Sequence, residues 1–435
     1  MKTSASRPVL IVTSNLGGHR QNYTAVLGRW FAEAGHAVVV VCGPDEDAAG
    51  LPGSRTPILA QFLSKSRARA IDLDKSIVRE PTQFRARLAQ LETELNPTWT
   101  LLVNGEECVH ALRGQWPRES NQRRRAANFI YFPQEYPVDL RPYSFWDKFR
   151  PWARHLRERY RQRRFFKLKV WSQLGLDLIL SMDEHAVAAL SDPRVRYLPE
   201  IYRAWGTDIG PEPPEIGRAR LAYAEFLRRH PGKDVLLYYG TRFMRRGYDT
   251  LLALAWEHPD TTFVSVGRAW PGEKLTEAAG VWRQQLVAQG RLFELDIPFL
   301  PENSLVDDLF RSTRYVILPY QHWYGLSGSL LQPTYYGCPV LVPDIGSMAV
   351  AVRRYGIGLT YRHLDLKDLR RQFDEMRRDP ARFRDNAQRF ARRLDEKAVF
   401  AALAAIFGSR YVSATVDDQP HGALPNPLEG FSLDL

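Results

Sequence analysis

Pro8-Val9-Leu10-Ile11-Val12-Thr13 and Ala37-Val38-Val39-Val40-Val41, joined by Ser14-Asn15-Leu16-Gly17-Gly18-His19, a helical stretch from Tyr23 to Ala34 and the turn Gly35-His36, read as strand, glycine turn, helix and second strand. Each apolar run has the length of a strand and no polar alternation, so both of its faces must be covered. Parallel sheets with helices on either side meet that condition. The N-terminal part therefore starts as a Rossmann-like domain.

Working outward, further apolar runs at Thr98 to Val103, Asn128 to Phe132 and Leu176 to Leu180 continue the alternation. Around Arg203 to Pro214 the chain turns rich in Pro and Gly, as a linker does. A second series begins at Asp234 to Gly240 and continues through helix Asp249 to Trp256, strands Thr262 to Val266 and Tyr315 to Leu318, helix Gly328 to Tyr336 and strand Pro339 to Val342. The expected organisation is an N-terminal domain over 1–205, a C-terminal domain over 206–398, a helix at 399–411 packing back on the first domain, and a weakly ordered tail at 412–435. Two parallel-sheet domains face each other across a cleft at the carboxyl ends of their strands, where ligands of such sheets sit.

With 435 residues, 44% hydrophobic and 25% charged, the chain is long enough for two cores and has the composition of a soluble globular protein. No apolar run reaches the roughly 20 residues of a spanning helix, and Cys42, Cys108 and Cys338 fit neither a disulfide framework nor a zinc cluster. A cytoplasmic protein is expected. The net charge of +11 is concentrated: residues 141–171 carry eleven Lys or Arg against Asp147 and Glu158. Nine aromatic residues, among them Trp146, Trp152, Tyr160 and Trp171, are interleaved with those cations. The segment suits peripheral contact with an anionic membrane, an anionic acceptor, or packing on its own domain. No nucleic-acid motif accompanies the charge, so nucleic acid is not expected as a partner.

Three places in the second half carry a family resemblance, in family order. They are Tyr239-Gly240-Thr241-Arg242-Phe243-Met244-Arg245-Arg246-Gly247-Tyr248-Asp249, the strand Ile317-Leu318-Pro319-Tyr320, and Gly325-Leu326-Ser327-Gly328-Ser329 running to Gly337-Cys338-Pro339-Val340. They resemble retaining glycosyltransferases of the GT-B fold, family 4 in particular. Gly17-Gly18, Gly35-His36-Ala37-Val38, Leu178 to Ala189 and Tyr197-Leu198-Pro199 are also similar to that family.

The resemblance implies an acceptor domain followed by a donor domain, and transfer of a sugar from a nucleotide-sugar, UDP-linked by prior frequency, to a hydroxyl of a glycan, lipid-linked or small-molecule acceptor. The leaving diphosphate gathers negative charge, which cations and backbone amides stabilise in metal-free enzymes. Arg246 stands where the family has its phosphate Lys, and Arg242 lies one position after its usual Arg. Ser327-Gly328-Ser329 opens a helix, where free N–H groups favour an anion and Ser327 can also cap. The family's paired glutamates fall on Tyr324 and Gln332; Gln332 can still bond a ribose, while Tyr324 supplies no negative charge to the sugar. With Gly267 they form the expected nucleotide or sugar contacts. Glu135, after the run Asn128 to Phe132, is the candidate acceptor-side carboxylate, with Glu106 and Glu107 as weaker alternatives. Gly17, Gly18 and His19 form the expected acceptor or phosphate loop. Neither a metal nor another cofactor is expected. Two other readings remain on the same fold, a nucleotide-sugar epimerase and a non-catalytic nucleotide-sugar-binding scaffold.

Overall fold

The structure, a computed structural model of the chain, describes residues 7–14, 20–43, 57–66, 68–103, 105, 108, 112, 116, 124–129, 152–153, 156–157, 160, 174–200, 214–240, 242, 246–269, 274–296, 304–321 and 323–408. The first sheet contains β1 (Val9–Thr13), β2 (Val38–Cys42), β3 (Arg69–Asp72), β4 (Trp99–Val103), β5 (Arg124–Phe129), β6 (Leu178–Ser181) and β7 (Val195–Tyr197). Its spatial order is β3-β2-β1-β4-β5-β6-β7, with parallel pairs throughout. Helices α1 (Arg20–Glu33), α2 (Pro57–Lys65), α3 (Lys75–Arg79), α4 (Pro81–Leu95) and α5 (Glu184–Leu190) accompany it. Because side chains alternate along a strand, Val9 and Ile11 pack with Tyr23, Leu27 and Trp30 of α1, while Leu10 and Val12 pack with Phe84, Leu88 and Leu91 of α4.

The second sheet contains β8 (Asp234–Tyr239), β9 (Thr261–Val266), β10 (Leu292–Leu295), β11 (Tyr315–Ile317), β12 (Val340–Pro343) and β13 (Gly358–Tyr361), in the order β10-β9-β8-β11-β12-β13 and again parallel. Around it lie α6 (Pro214–Arg228), α7 (Tyr248–Glu257), α8 (Glu277–Ala288), α9 (Ser304–Ser312), α10 (Gly328–Tyr335), α11 (Gly346–Tyr355), α12 (Leu366–Arg378) and α13 (Arg384–Arg392). Apolar clusters cover both faces of this sheet as well. The molecule is thus two Rossmann-like α/β domains of the GT-B type, facing across a cleft. In each sheet the strand order reverses beside its first strand, between β1 and β4 and between β8 and β11. Such reversals leave a crevice at the carboxyl end of the sheet.

The last described helix, α14 (Glu396–Phe407), follows the second sheet in sequence but buries Val399, Phe400 and Leu403 against the core of the first. The Asp395 carboxylate caps it by accepting from Ala398 N–H at 2.8 Å, and Arg29 of α1 pairs with Glu396. A second tie between the halves centres on Glu184 of α5. It accepts from Tyr355 Oη at 2.6 Å and lies 3.4 Å from the Arg354 guanidinium.

Two features depart from the expected elements. Strand β5 starts at Arg124, four residues before the apolar run, and carries Arg125 into the core at 1% exposure. Arg125 is tolerated there because Glu92 accepts from its Nε at 3.0 Å and from Nη2 at 2.6 Å, while Trp116 and Leu174 carbonyls accept from Nη1. Strands β3, β7, β10 and β13 interrupt no conspicuous apolar run; β3 and β7 form one edge each of the first sheet and β10 and β13 of the second. Among the described residues, no helix is long and apolar enough to cross a membrane.

Candidate functional site

Strand β8 ends at Tyr239 and delivers Gly240, whose φ of +120° is open to glycine and not to ordinary L-residues. A Cβ on Gly240 would lie 2.0 Å from Nη1 of Arg246, so the arginine occupies the space that the missing side chain leaves. Next to it Gly247, at φ +72°, brings its backbone against Pro319, where a Cβ would fall 2.2 Å from the carbonyl oxygen. Arg246 is thereby seated beside the loop that follows β11, with its guanidinium carbon 5.5 Å from the centre of the Tyr320 ring.

From that ring the site continues to α10. Tyr320 Oη and Ser327 Oγ are 3.2 Å apart, and Ser327 caps α10 by accepting weakly from Ser329 N–H at 3.3 Å. Leu330 N–H closes the first turn on Ser327 O at 2.8 Å, so the helix starts as an ordinary capped helix with Gly328 at its first position. Gln332, one turn below Gly328 on the same face, is 4% exposed. Tyr324 is held through its backbone, its carbonyl accepting from Ser347 N–H at the start of α11 at 2.8 Å. Arg246, Tyr320, Ser327, Gly328, Ser329 and Gln332 are therefore brought together at the β8/β11 crevice.

Arg242 turns the other way. Its N–H donates to Arg268 O at 2.7 Å, which bridges the loop to the end of β9, and its guanidinium reaches Asp296 Oδ1 at 3.3 Å and Glu294 Oε1 at 3.8 Å. Glu294 also accepts from Tyr248 Oη at 2.6 Å and pairs with Arg283. Burial pushes the Glu294 carboxyl up, but the bonds from Arg283 and Tyr248 outweigh it and hold the group below its ordinary range. Gly267 ends β9 beside Gly240, with its N–H donating to Leu295 O at 3.0 Å. Thus Arg242 and Gly267 lie on the β9/β10 side, and Arg246 on the β11 side. Gly17, Gly18, His19, Glu106, Glu107 and Glu135 lie outside the described residues, as does most of 141–171.

Sequence reading missed Glu200. It follows β7 by three residues, is 6% exposed, and its Oε2 has no hydrogen-bond partner among the described residues. Burial pushes its carboxyl up to about 7. The available signal was an acid flanked by Pro199 and Ile201, next to the Tyr197-Leu198-Pro199 stretch. Among the described residues, no cluster of three His, Cys, Asp or Glu side chains is arranged to hold a metal ion.

No family model and no curated protein sequence matches the chain. Solved structures do. HepE from Anabaena, in complex with UDP and glucose, is 12% identical with a TM-score of 0.59, over 92% of this chain and 99% of its own. Sucrose-phosphate synthase from Thermosynechococcus elongatus is 15% identical with a TM-score of 0.58, over 92% and 98%. A UDP-N-acetylglucosamine 2-epimerase assigned in Listeria monocytogenes is 13% identical with a TM-score of 0.54, over 93% and 97%. At these identities the likeness is one of fold, shared over nearly the whole length of each chain.

Proposed function

We propose that this chain is a retaining glycosyltransferase that moves a sugar from a UDP-linked donor to a hydroxyl of a glycan or lipid-linked acceptor. The observation that carries the reading is the seating of Arg246 over Gly240 and Tyr320, at the strand-order reversal of the second sheet and beside the capped start of α10. A diphosphate at that point meets a guanidinium and the N-terminal amides of a helix, and both gain strength as charge grows on the leaving oxygen. This machinery supplies positive charge without a metal, so turnover is expected to survive a chelator. Gln332, Tyr324 and Gly267 are the proposed contacts to nucleotide and sugar. Glu135 and the loop of Gly17, Gly18 and His19 are the proposed acceptor side.

UDP in the HepE complex supports the choice of nucleotide. A lipid-linked acceptor draws support from Trp152, Leu156 and Tyr160, which are spaced four apart and 45%, 42% and 66% exposed within the basic segment. The replacement of the family's first glutamate by Tyr324 favours a second reading, a scaffold that binds nucleotide-sugar without turnover. Thermal-shift measurements with UDP, GDP and TDP separate the outcomes. Stabilisation by UDP that Arg246→Ala abolishes supports the donor site, and sugar release from UDP-glucose by the wild type then excludes the scaffold. Indifference to all three nucleotides would remove the reading.

A further inference from the structure

Glu200 belongs to the first domain, yet it stands at the donor helix of the second. A Cβ on Gly328, the first residue of α10, would lie 3.9 Å from Glu200 Oε1. The carboxyl group is therefore next to the N-terminal turn whose amides the donor reading assigns to diphosphate. A carboxyl 94% withdrawn from solvent with an oxygen lacking any partner among the described residues is costly in either charge state, and it needs a physical reason.

Among the described residues, few charges face it to fix that state. On its own segment Tyr197 is the titratable neighbour; burial pushes its phenol up and keeps it protonated, with Glu184 and Tyr355 adding to that and Arg393 opposing it. From the facing helix come Ser327, Gly328 and Ser329, which do not titrate near neutrality, and beyond Ser327 stand Tyr320 and Arg246. The start of α10 favours the carboxylate through its dipole and its N–H groups, of which those of Ser329 and Leu330 also donate to Ser327. A diphosphate drawn to the same N–H groups reverses that preference, since two anions in one buried place repel.

We propose that Glu200 is a proton-gated ligand of the donor diphosphate: it takes up one proton from solvent as the diphosphate settles at the start of α10, then donates a hydrogen bond from its carboxyl O–H to a phosphate oxygen. No covalent bond is made or broken in this step. It rests on the donor reading and deepens it, for it makes donor affinity depend on pH and on the contact that the first domain makes with α10 through Glu200. With burial holding the free carboxyl near neutrality, the exchange falls in the range where an enzyme works.

The test uses the full chain and UDP-glucose, whose diphosphate has no titrating proton near neutrality. Calorimetry at about pH 6 and about pH 8, in two buffers of different ionisation enthalpy, reads affinity and protons exchanged. The wild type is expected to bind about tenfold more weakly at the higher pH and to take up close to one proton per ligand there. Glu200→Gln, neutral at both pH values and still a donor, is expected to bind equally at both and to take up none. Wild-type binding without proton uptake overturns the proposal with no variant needed, as does a pH slope unchanged in Glu200→Gln. If binding depends on Arg246 but carries no slope, only the role of Glu200 falls; if UDP-glucose does not bind at all, the donor reading falls with it.

Discussion

The loop after β8 sends two arginines to opposite sides of one sheet, and the two meet different surroundings. On the β9/β10 side Arg242 meets Glu294 and Asp296, with Arg283 and Tyr248 completing a compact set of paired groups. The Glu294 carboxylate is held low, as expected for an acid surrounded by donors. On the β11 side Arg246 lies on a ring face and a glycine beside a helix start, and the nearby acid, Glu200, is held high by burial. One side has the balance of a folded core. The other has an acid whose Oε2 finds no partner among the described residues, next to the first turn of α10, an imbalance that the proposed diphosphate would relieve.

Four substitutions put this contrast to the test. The largest effect is expected of Arg246→Ala, a loss of about 10²-fold or more in kcat/KM for a nucleotide-sugar with a normal fold by circular dichroism. Glu200→Gln should next alter stability in a pH-dependent way. The wild-type carboxyl has its folded value raised from 4.5 to about 7, so its contribution is intact below the unfolded value and is lost as pH rises through the folded one. By denaturant titration the variant should match the wild type near pH 4.5 and exceed it at about pH 8 by on the order of 3 kcal/mol. Gly240→Ala places a Cβ on the Arg246 guanidinium at a strained φ, which should cost about 1–3 kcal/mol and weaken UDP binding together with stability. The smallest change is expected of Arg242→Ala, at most about 1 kcal/mol of stability with UDP affinity kept, because Arg283 and Tyr248 still satisfy Glu294. Loss of UDP binding in Arg242→Ala equal to that in Arg246→Ala would erase the contrast.

The two sheets were legible because inner strands such as Val9–Thr13 and Val38–Cys42 are buried on both faces and must be nearly continuous in apolar residues. The edges were not, since a half-exposed strand such as Arg69–Asp72 needs no such run. Strand β5 was misplaced at its start for a different reason. Arg125 looks like a surface residue until Glu92, 33 positions earlier, is folded against it. At the candidate site, glycine spacing and the helix opening at Ser327 could be read locally, and Arg246 came with them. The divergence of Arg242 depends on Asp296 and Glu294, which only the order of β8, β9 and β10 brings near. Glu200 and Gly328 are far apart in the chain and on different domains, so no local pattern could join them.

In the proposed donor site the diphosphate sits between Arg246 and the start of α10. A crystal structure of the full chain soaked with UDP tests it most directly. Phosphate oxygens are expected within hydrogen-bond distance of the Arg246 guanidinium and of the Gly328 or Ser329 N–H groups, with the Arg242 pairs to Glu294 and Asp296 unbroken. A diphosphate held instead by Arg242, with the start of α10 untouched, would contradict it.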